Sequence, residues 1–440
     1  MKLFYSIIIL LIFSNCSFDN KTGVWKDENS TQSIDDDPFS DFKNISNSKK
    51  LFDTEINLDK KFIFNLSDVK VNNQWKDPFY SESNNYDNFI YNNKNQIILK
   101  SKKLTRYVSS KTLLYYKNNI ILNDKKGYII IFSKTENKII SKFNFYKKKY
   151  KKIKKNINLI IDNNVLFVAD NLGYIYAYDY KINSLLWAKN YKIPFKSNLK
   201  VYGDMVIVAN LKNNVFFLNK NNGEIIKSIP TEETKVTNQF TNSFSIAKEN
   251  LLFLNSFGSL YSININTKKL NWFINLNQAL DLKTNNLFNG NQIIYHNNKI
   301  LVSSDKFSYL IDPLNGSILR DRNFSSSINP IINNEYIFFI TKNNFLIASK
   351  LDDGEIIYSY NLKVQLSKYL KIKKNLEIHN FFLANKKLFV FTNKKYIAVI
   401  NINGQVENII KLPSKIRGNP IFINGTIIYL DKNNKITILN

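Results

Sequence analysis

NVLFVADNLGYIYAYDYKINSLLW, Asn164 to Trp187, reads as three short strands in succession. Asn164 to Ala169 is apolar with β-branched content. Asp170, Asn171, Leu172 and Gly173 make a turn in which the glycine can take positive φ. Tyr174 to Asp179 alternates aromatic or apolar residues with smaller ones, Lys181 to Ser184 turns again, and Leu185 to Trp187 begins a third strand. One such unit cannot bury its own two faces, so its neighbours must be of the same kind.

With Asp179 as anchor, the end of the third strand of each unit recurs at Ser133, Asp179, Asn219, Asn264, Asp312, Lys350, Asn401 and Asn440, at intervals of 46, 40, 45, 48, 38, 51 and 39 residues. That period suits a four-stranded propeller blade and exceeds that of most helical solenoids. The best copies are YAYDYKINSLLW (Tyr176 to Trp187) and YSININTKKLNW (Tyr261 to Trp272), and Gly223, Gly316, Gly354 and Gly404 fall at the turn after the anchor. The expected fold is all-β: an eight-bladed β-propeller of four-stranded antiparallel blades at 112–145, 158–192, 198–231, 242–277, 287–325, 328–363, 379–414 and 418–440. The chain stops on the eighth anchor, which leaves that blade without a fourth strand and with a bare edge. Asn95 to Lys103 (NQIILKSKK) precedes the first copy and is expected to supply it, closing the ring.

The N-terminus carries a different kind of information. Lys2 is a minimal positive region, Leu3 to Phe13 is a largely apolar run too short to span a bilayer, and Cys16, the only cysteine, follows directly. This reads as a lipoprotein signal over residues 1–15 with Cys16 as the acylated residue, although Phe13, Ser14 and Asn15 are atypical flanks. An ordinary secretory signal is the other reading. Residues 16–60 read as an acidic tether with 10 acidic and 6 basic residues. As a coil it would reach ~35–40 Å. Within it Trp25 is either a stray aromatic or a docking residue. Residues 61–94, with Trp75, Phe79, Tyr80 and Tyr86, are an aromatic-rich lead-in expected to pack on the propeller.

The formal charge is +27, and once Lys2 and the net −4 of residues 16–60 are set aside, residues 61–440 carry +30. The densest block, KKKYKKIKK from Lys147 to Lys155, lies between the first and second blades and is expected to be solvated. Anionic lipid or an acidic protein face are the partners such a block fits, and a lysine-rich composition is the plainer explanation. No recognition helix or RNA-binding motif points to nucleic acid. The two histidines, His296 and His379, fall in different blades, and no CxxC, HExxH, GxSxG or P-loop pattern occurs. The sequence therefore offers no catalytic or metal constellation, and no cofactor is expected.

The repeat resembles the PQQ-type β-propeller repeat, with Gly173, Ala177, Asp179 and Trp187 matching in one copy and Ser262, Asn264, Thr267 and Trp272 matching loosely in another. Both enzymes and scaffolds use this repeat. Quinoprotein dehydrogenases of this type bind PQQ and calcium, often under adjacent cysteines, which this chain lacks. The whole arrangement is similar to the BamB-type lipoproteins of the outer-membrane β-barrel assembly machinery: lipid signal, tether, eight blades. That resemblance implies a non-enzymatic scaffold anchored at the periplasmic face of the outer membrane of a Gram-negative bacterium. It implies a propeller that is monomeric within a complex and binds a POTRA domain of the barrel-inserting subunit. The implied contact loops run from Thr231 to Ser243 and from Asn277 to Phe288, with Thr231, Glu232, Glu233, Lys235, Asn238, Gln239, Phe240, Asp281 and Lys283 as candidate contacts. The family's arginine in the first loop has no counterpart here. A PQQ-dependent oxidoreductase and a general periplasmic binding propeller are the alternatives.

Overall fold

The computed structural model describes residues 16–18, 25–27, 52–233, 238–277, 287–304, 306–370 and 376–440. Residues 1–50 and 51–440 form two separate compact units. In the first, Cys16–Phe18 and Trp25–Asp27 pair as a short antiparallel hairpin, so the tether is not coil throughout. The apolar run from Leu3 to Phe13 lies outside the described residues.

The second unit holds eight four-stranded antiparallel sheets. Seven are built from consecutive strands and occupy 114–144, 157–190, 200–229, 243–275, 294–322, 331–361 and 378–411, close to the expected boundaries. The eighth has Ile421–Ile423, Thr426–Leu430 and Ile436–Leu439, and its outermost strand is Ile97–Lys100. Ile97 lies opposite Leu439 and Lys100 opposite Thr437, so the front of the chain closes the ring as the sequence predicts. Among the described residues no helix is long and apolar enough to cross a membrane; a nine-residue helix, Leu362–Leu370, links blades 6 and 7.

Local chemistry repeats with the blades. At the turn between second and third strands, an Asp or Asn side chain replaces main-chain partners. Asp170 Oδ1 accepts from the N–H groups of Leu172 (2.8 Å) and Tyr174 (2.9 Å). Asp124, Asn210, Asn255 and Asp431 make the same pair of bonds two and four residues on. Just before the anchor, the pairing of third and fourth strands slips by one residue in each of the first seven blades, at Ala177/Tyr178 in blade 2. Such a bulge sharpens the twist of the outer strand.

The closing tryptophan clasps the next blade. Trp187 Nε1 donates to Lys220 O of blade 3 at 2.9 Å, and its ring covers Gly223 so closely that a Cβ there would sit 2.5 Å from the indole. Trp272 repeats this on blade 5 through Pro313 O (3.0 Å) and Gly316. The anchor glycine is thus required twice, for its positive φ and for the space above it. The core follows the same logic: separate apolar clusters lie between blades 2 and 3, 3 and 4, 4 and 5, and 5 and 6, as in other repeat folds. One larger cluster joins blades 6, 7, 8, 1 and 2.

The expected tether boundary at residue 60 is corrected. Phe52 N–H donates to Asn323 O, and Ile56 exchanges two main-chain bonds with Ser359 on the outer edge of blade 6. The segment from residue 52 satisfies an otherwise open strand edge, which its acidic, polar composition concealed.

Gly223→Ala adds both strain and a clash and is expected to cost about 2–3 kcal/mol. Gly203→Ala, with positive φ but nothing within 4 Å of the new methyl, is expected to cost about 1 kcal/mol. Urea midpoints of the two variants, compared with the parent, check the ordering.

Candidate functional site

The first strand of each blade lines the axis, and its inner edge has no neighbour within the blade. Residues 65–92 supply one. Trp75 and Tyr115 of blade 1 exchange two main-chain hydrogen bonds (2.7 and 2.8 Å). Ile161 N–H of blade 2 donates to Lys76 O (3.0 Å), Ile246 N–H of blade 4 to Glu82 O (2.9 Å), and Tyr295 N–H of blade 5 to Ser83 O (3.0 Å). Phe89 binds Leu383 O and Asn385 N–H of blade 7, and Asn72 O accepts from Asn424 N–H of blade 8. Side chains reach the other two: Asn85 brackets Ile332 of blade 6, donating to its carbonyl (2.8 Å) and accepting from its N–H (3.0 Å). In blade 3, Lys200 Nζ contacts Asp77, Ser81 and Asn84. All eight blades are touched. The contacts fall where first strands turn into second strands, so the segment plugs one mouth of the ring.

The plug is aromatic in the middle and amide-rich at the rim. Trp75, Tyr86 and Phe89 are buried and meet Phe382 and Phe422, with Tyr86–Phe382 centroids at 4.7 Å and Phe89 stacked on Phe422 at 5.6 Å. These rings join the larger core cluster. Burial pushes the hydroxyls of Tyr80 and Tyr86 above the ordinary phenol range and that of Tyr91 up to about 12. Asn84 Nδ2 donates to the carbonyls of Phe244 (2.8 Å) and Ile293 (2.7 Å), while its Oδ1 accepts from Lys200. An amide carries donor and acceptor on one short stem, which suits bare strand ends.

Lys200 is the electrostatic pin. Its side chain is fully buried, and its three protons meet Asp77 Oδ2 (2.7 Å), Ser81 O (2.9 Å) and Asn84 Oδ1 (2.7 Å). A buried charge is tolerable when every proton is satisfied in this way. Beside it a cleft of about 710 Å³ opens between the plug and blades 2 and 3. Lys76, Lys200 and Lys220 line it against Asp77, Glu82 and Asp162. Lys220 is already held by Asp162 (3.0 Å) and Gly203 O (3.0 Å), so the charges that line the cleft are balanced.

The inter-blade loops leave from the opposite face. Thr231 Oγ1 donates to Asn213 O, and Glu232 Oε2 accepts from Ser259 Oγ and Asn255 Nδ2, which ties the loop start to blades 3 and 4. Glu233 pairs with Lys212 at 3.2 Å and is exposed, as is Gln239. Asn238 accepts from Lys196 Nζ (3.1 Å). Phe240 is corrected as a contact residue: it is buried against Phe288 at 5.2 Å because the loop returns into the core there. Lys235, Asp281 and Lys283 lie outside the described residues.

In the basic block, Lys147, Lys148, Lys149, Lys151, Lys152 and Lys154 are exposed as expected. Lys155 corrects the expectation: it is 2 % exposed, donates to the carbonyls of Tyr150 and Ile153, and sits 4.9 Å above the Tyr146 ring. Burial lowers its pKa. Tyr146 in turn donates to the buried Asp170 at 2.6 Å. The block's last residue is thereby an internal strut.

His296 contacts the Asn85 amide (Nδ1 at 3.2 Å) at the plug, and His379 stands apart in blade 7. Burial lowers the pKa of both. Among the described residues no three His, Cys, Asp or Glu side chains gather in a way that would hold a metal ion. Trp75, Tyr86 and Phe89 pack the plug against Phe382 of blade 7 and Phe422 of blade 8.

These features define the class: a PQQ-like eight-bladed β-propeller with one mouth closed by its own chain. The chain belongs to the family described as outer membrane protein assembly factor BamB, whose profile matches residues 125–360. No curated protein matches the sequence. Among solved structures, BamB from Moraxella catarrhalis is similar at 12% identity and a TM-score of 0.61, over 78% of this chain and 99% of that one. A europium-containing methanol dehydrogenase has 11% identity and a TM-score of 0.62, over 83% and 89%. The quinohemoprotein alcohol dehydrogenase of Comamonas testosteroni has 8% identity and a TM-score of 0.61, over 83% and 80%. At these identities the likeness speaks for the fold.

Lys200→Met strands Asp77 and is expected to cost about 3–5 kcal/mol, with faster amide exchange concentrated in residues 75–90. The histidines set a pH dependence. Both are depressed on folding, so the unfolded chain binds more protons, and stability rises with pH. It is full above the unfolded value of ~6.5 and lost as pH falls toward the folded values. Urea midpoints across that window, with His296→Gln flattening the slope, test this.

Proposed function

We propose that the protein is a non-enzymatic scaffold of outer-membrane β-barrel assembly. Cys16 carries the lipid anchor, the body lies in the periplasm at the outer membrane, and the inter-blade loops bind the barrel-inserting subunit through a POTRA domain. Membership of the assembly-factor family supports this reading, and one structural observation carries it furthest. The mouth of the ring that would lend its axis to a small molecule is bonded, blade by blade, to residues 65–92. On the opposite face Glu233 and Gln239 stand exposed between blades 3 and 4, and this reading assigns recognition to them.

A PQQ-dependent oxidoreductase is the second reading, favoured by the fold shared with two dehydrogenases. Dye-linked activity after addition of PQQ and calcium would establish it in place of the scaffold. For the scaffold, tagged protein is expected to co-purify with the barrel-inserting subunit. Glu233→Lys combined with Gln239→Arg is expected to weaken that capture at least about tenfold without changing the denaturation midpoint, since rim changes act on binding more than on folding. Absence of the subunit from the parent's eluate would count against the proposal.

A further inference from the structure

The geometry points to a second docking surface: a basic sector of the linker face, on blades 8 and 1 and the linker to blade 2, that binds the anionic headgroups of a lipid bilayer. Five segments distant in sequence converge there. Lys126 Nζ donates to Lys151 O (2.9 Å), and Lys155 N–H donates to Lys125 O. Lys125 N–H donates to Val108 O, and Asn434 Nδ2 reaches the carbonyls of Thr105 and Tyr107. Lys432 N–H donates to Lys415 O, while Arg417 Nη2 reaches Lys432 O (2.9 Å). Residues 101–111, 124–127, 147–155, 412–420 and 431–435 therefore form one continuous surface.

Together these segments hold seventeen lysines and arginines and two acidic residues, Asp124 and Asp431. Both carboxylates are buried and spent on turn N–H groups. Among the described residues none of the basic side chains is paired with a carboxylate, and only Lys155 is buried among them. On the plugged side some lysines are paired, as Lys220 with Asp162, Lys350 with Glu355 and Lys387 with Glu407, and those that are not, such as Lys117, Lys181 and Lys268, are spread over separate turns of different blades. The sector is a one-signed field on one part of one face.

A second observation selects a bilayer over a folded acidic protein. The propeller's first described residue, Phe52, is bonded to Asn323 O just beyond the last strand of blade 5, on this same linker face. A tether that begins at an acylated Cys16 therefore joins the propeller on the side that carries the basic sector. The choice of a bilayer as the partner rests on the lipid-anchor reading of Cys16, whereas the basic sector itself does not.

The test uses residues 16–440 with Cys16→Ser, so that neither an acyl chain nor the apolar run from Leu3 to Phe13 contributes, and phosphatidylcholine vesicles with or without phosphatidylglycerol. The parent is expected to sediment preferentially with phosphatidylglycerol vesicles, and to lose that preference in about 1 M salt, where the Debye length is about 3 Å. Replacing Lys147, Lys148, Lys149, Lys151, Lys152 and Lys154 by glutamine is expected to lower the phosphatidylglycerol-dependent partition about 100-fold or more. Replacing the same six by arginine keeps it. Equal binding of the parent to both vesicles, retention of the preference by the glutamine variant, or capture by soluble polyglutamate without vesicle binding would overturn the inference. Circular dichroism of both variants confirms that the fold is intact. Because no other subunit is present, failure here leaves the scaffold reading standing, and failed co-purification leaves this one standing.

Discussion

A polar main-chain group removed from water must find a partner, and in this molecule the need is concentrated at sheet edges. A ring of blades removes most edges by packing but leaves two circles of them: outer edges facing solvent, and inner edges facing the axis. The front of the propeller unit addresses both. Ile56 bonds the outer edge of blade 6, Ile97–Lys100 completes blade 8, and residues 65–92 pass between them across the inner strands. Lys200 fixes this passage at its most polar point, with Asp77 and Asn84 meeting it from the plug.

The plug ties the inner strands together at one mouth of the ring and leaves the linker face to the inter-blade loops. On the linker face, Glu232 at the start of the loop between blades 3 and 4 is bonded to Ser259 and Asn255 and Glu233 is paired with Lys212, whereas the lysines and arginines across blades 8 and 1 have no carboxylate partner among the described residues. Lys155 and Asp170 show how such a surface is kept on a firm base: the strut beneath the exposed lysines is a buried lysine and a tyrosine–aspartate bond.

The blade count, the strand ends and the closing strand were legible because they obey short-range rules. Glycine and Asx turns, a two-residue alternation and a clasping tryptophan recur at a fixed spacing, and each has a local cause. The plug was not legible in detail, although its aromatic content marked it as packed. SESNNYDN reads as a polar loop until the open ends of blades 4, 5 and 6 are seen to need amides, and nothing near Asn84 in sequence announces Phe244 or Ile293. The signal that might have been used was the pair of adjacent asparagines flanked by aromatics. Phe240, given as a contact through the family resemblance, is instead buried by Phe288, 48 residues away, which nothing near it in sequence announces. Lys155 likewise takes its character from Tyr146 and Asp170 rather than from the lysines beside it.

The closure between Ile97–Lys100 and Ile436–Leu439 has a consequence in time. A polypeptide made N-terminus first delivers the latch hundreds of residues before the strand that receives it. Until Leu439 emerges, the latch has nowhere to dock and the plug lacks the finished ring to span, and the earlier blades stand as an open arc with unsatisfied ends. Contacts this remote in sequence form slowly. A holding factor that shields the nascent arc would then matter more for the yield of this protein than any property of the finished ring.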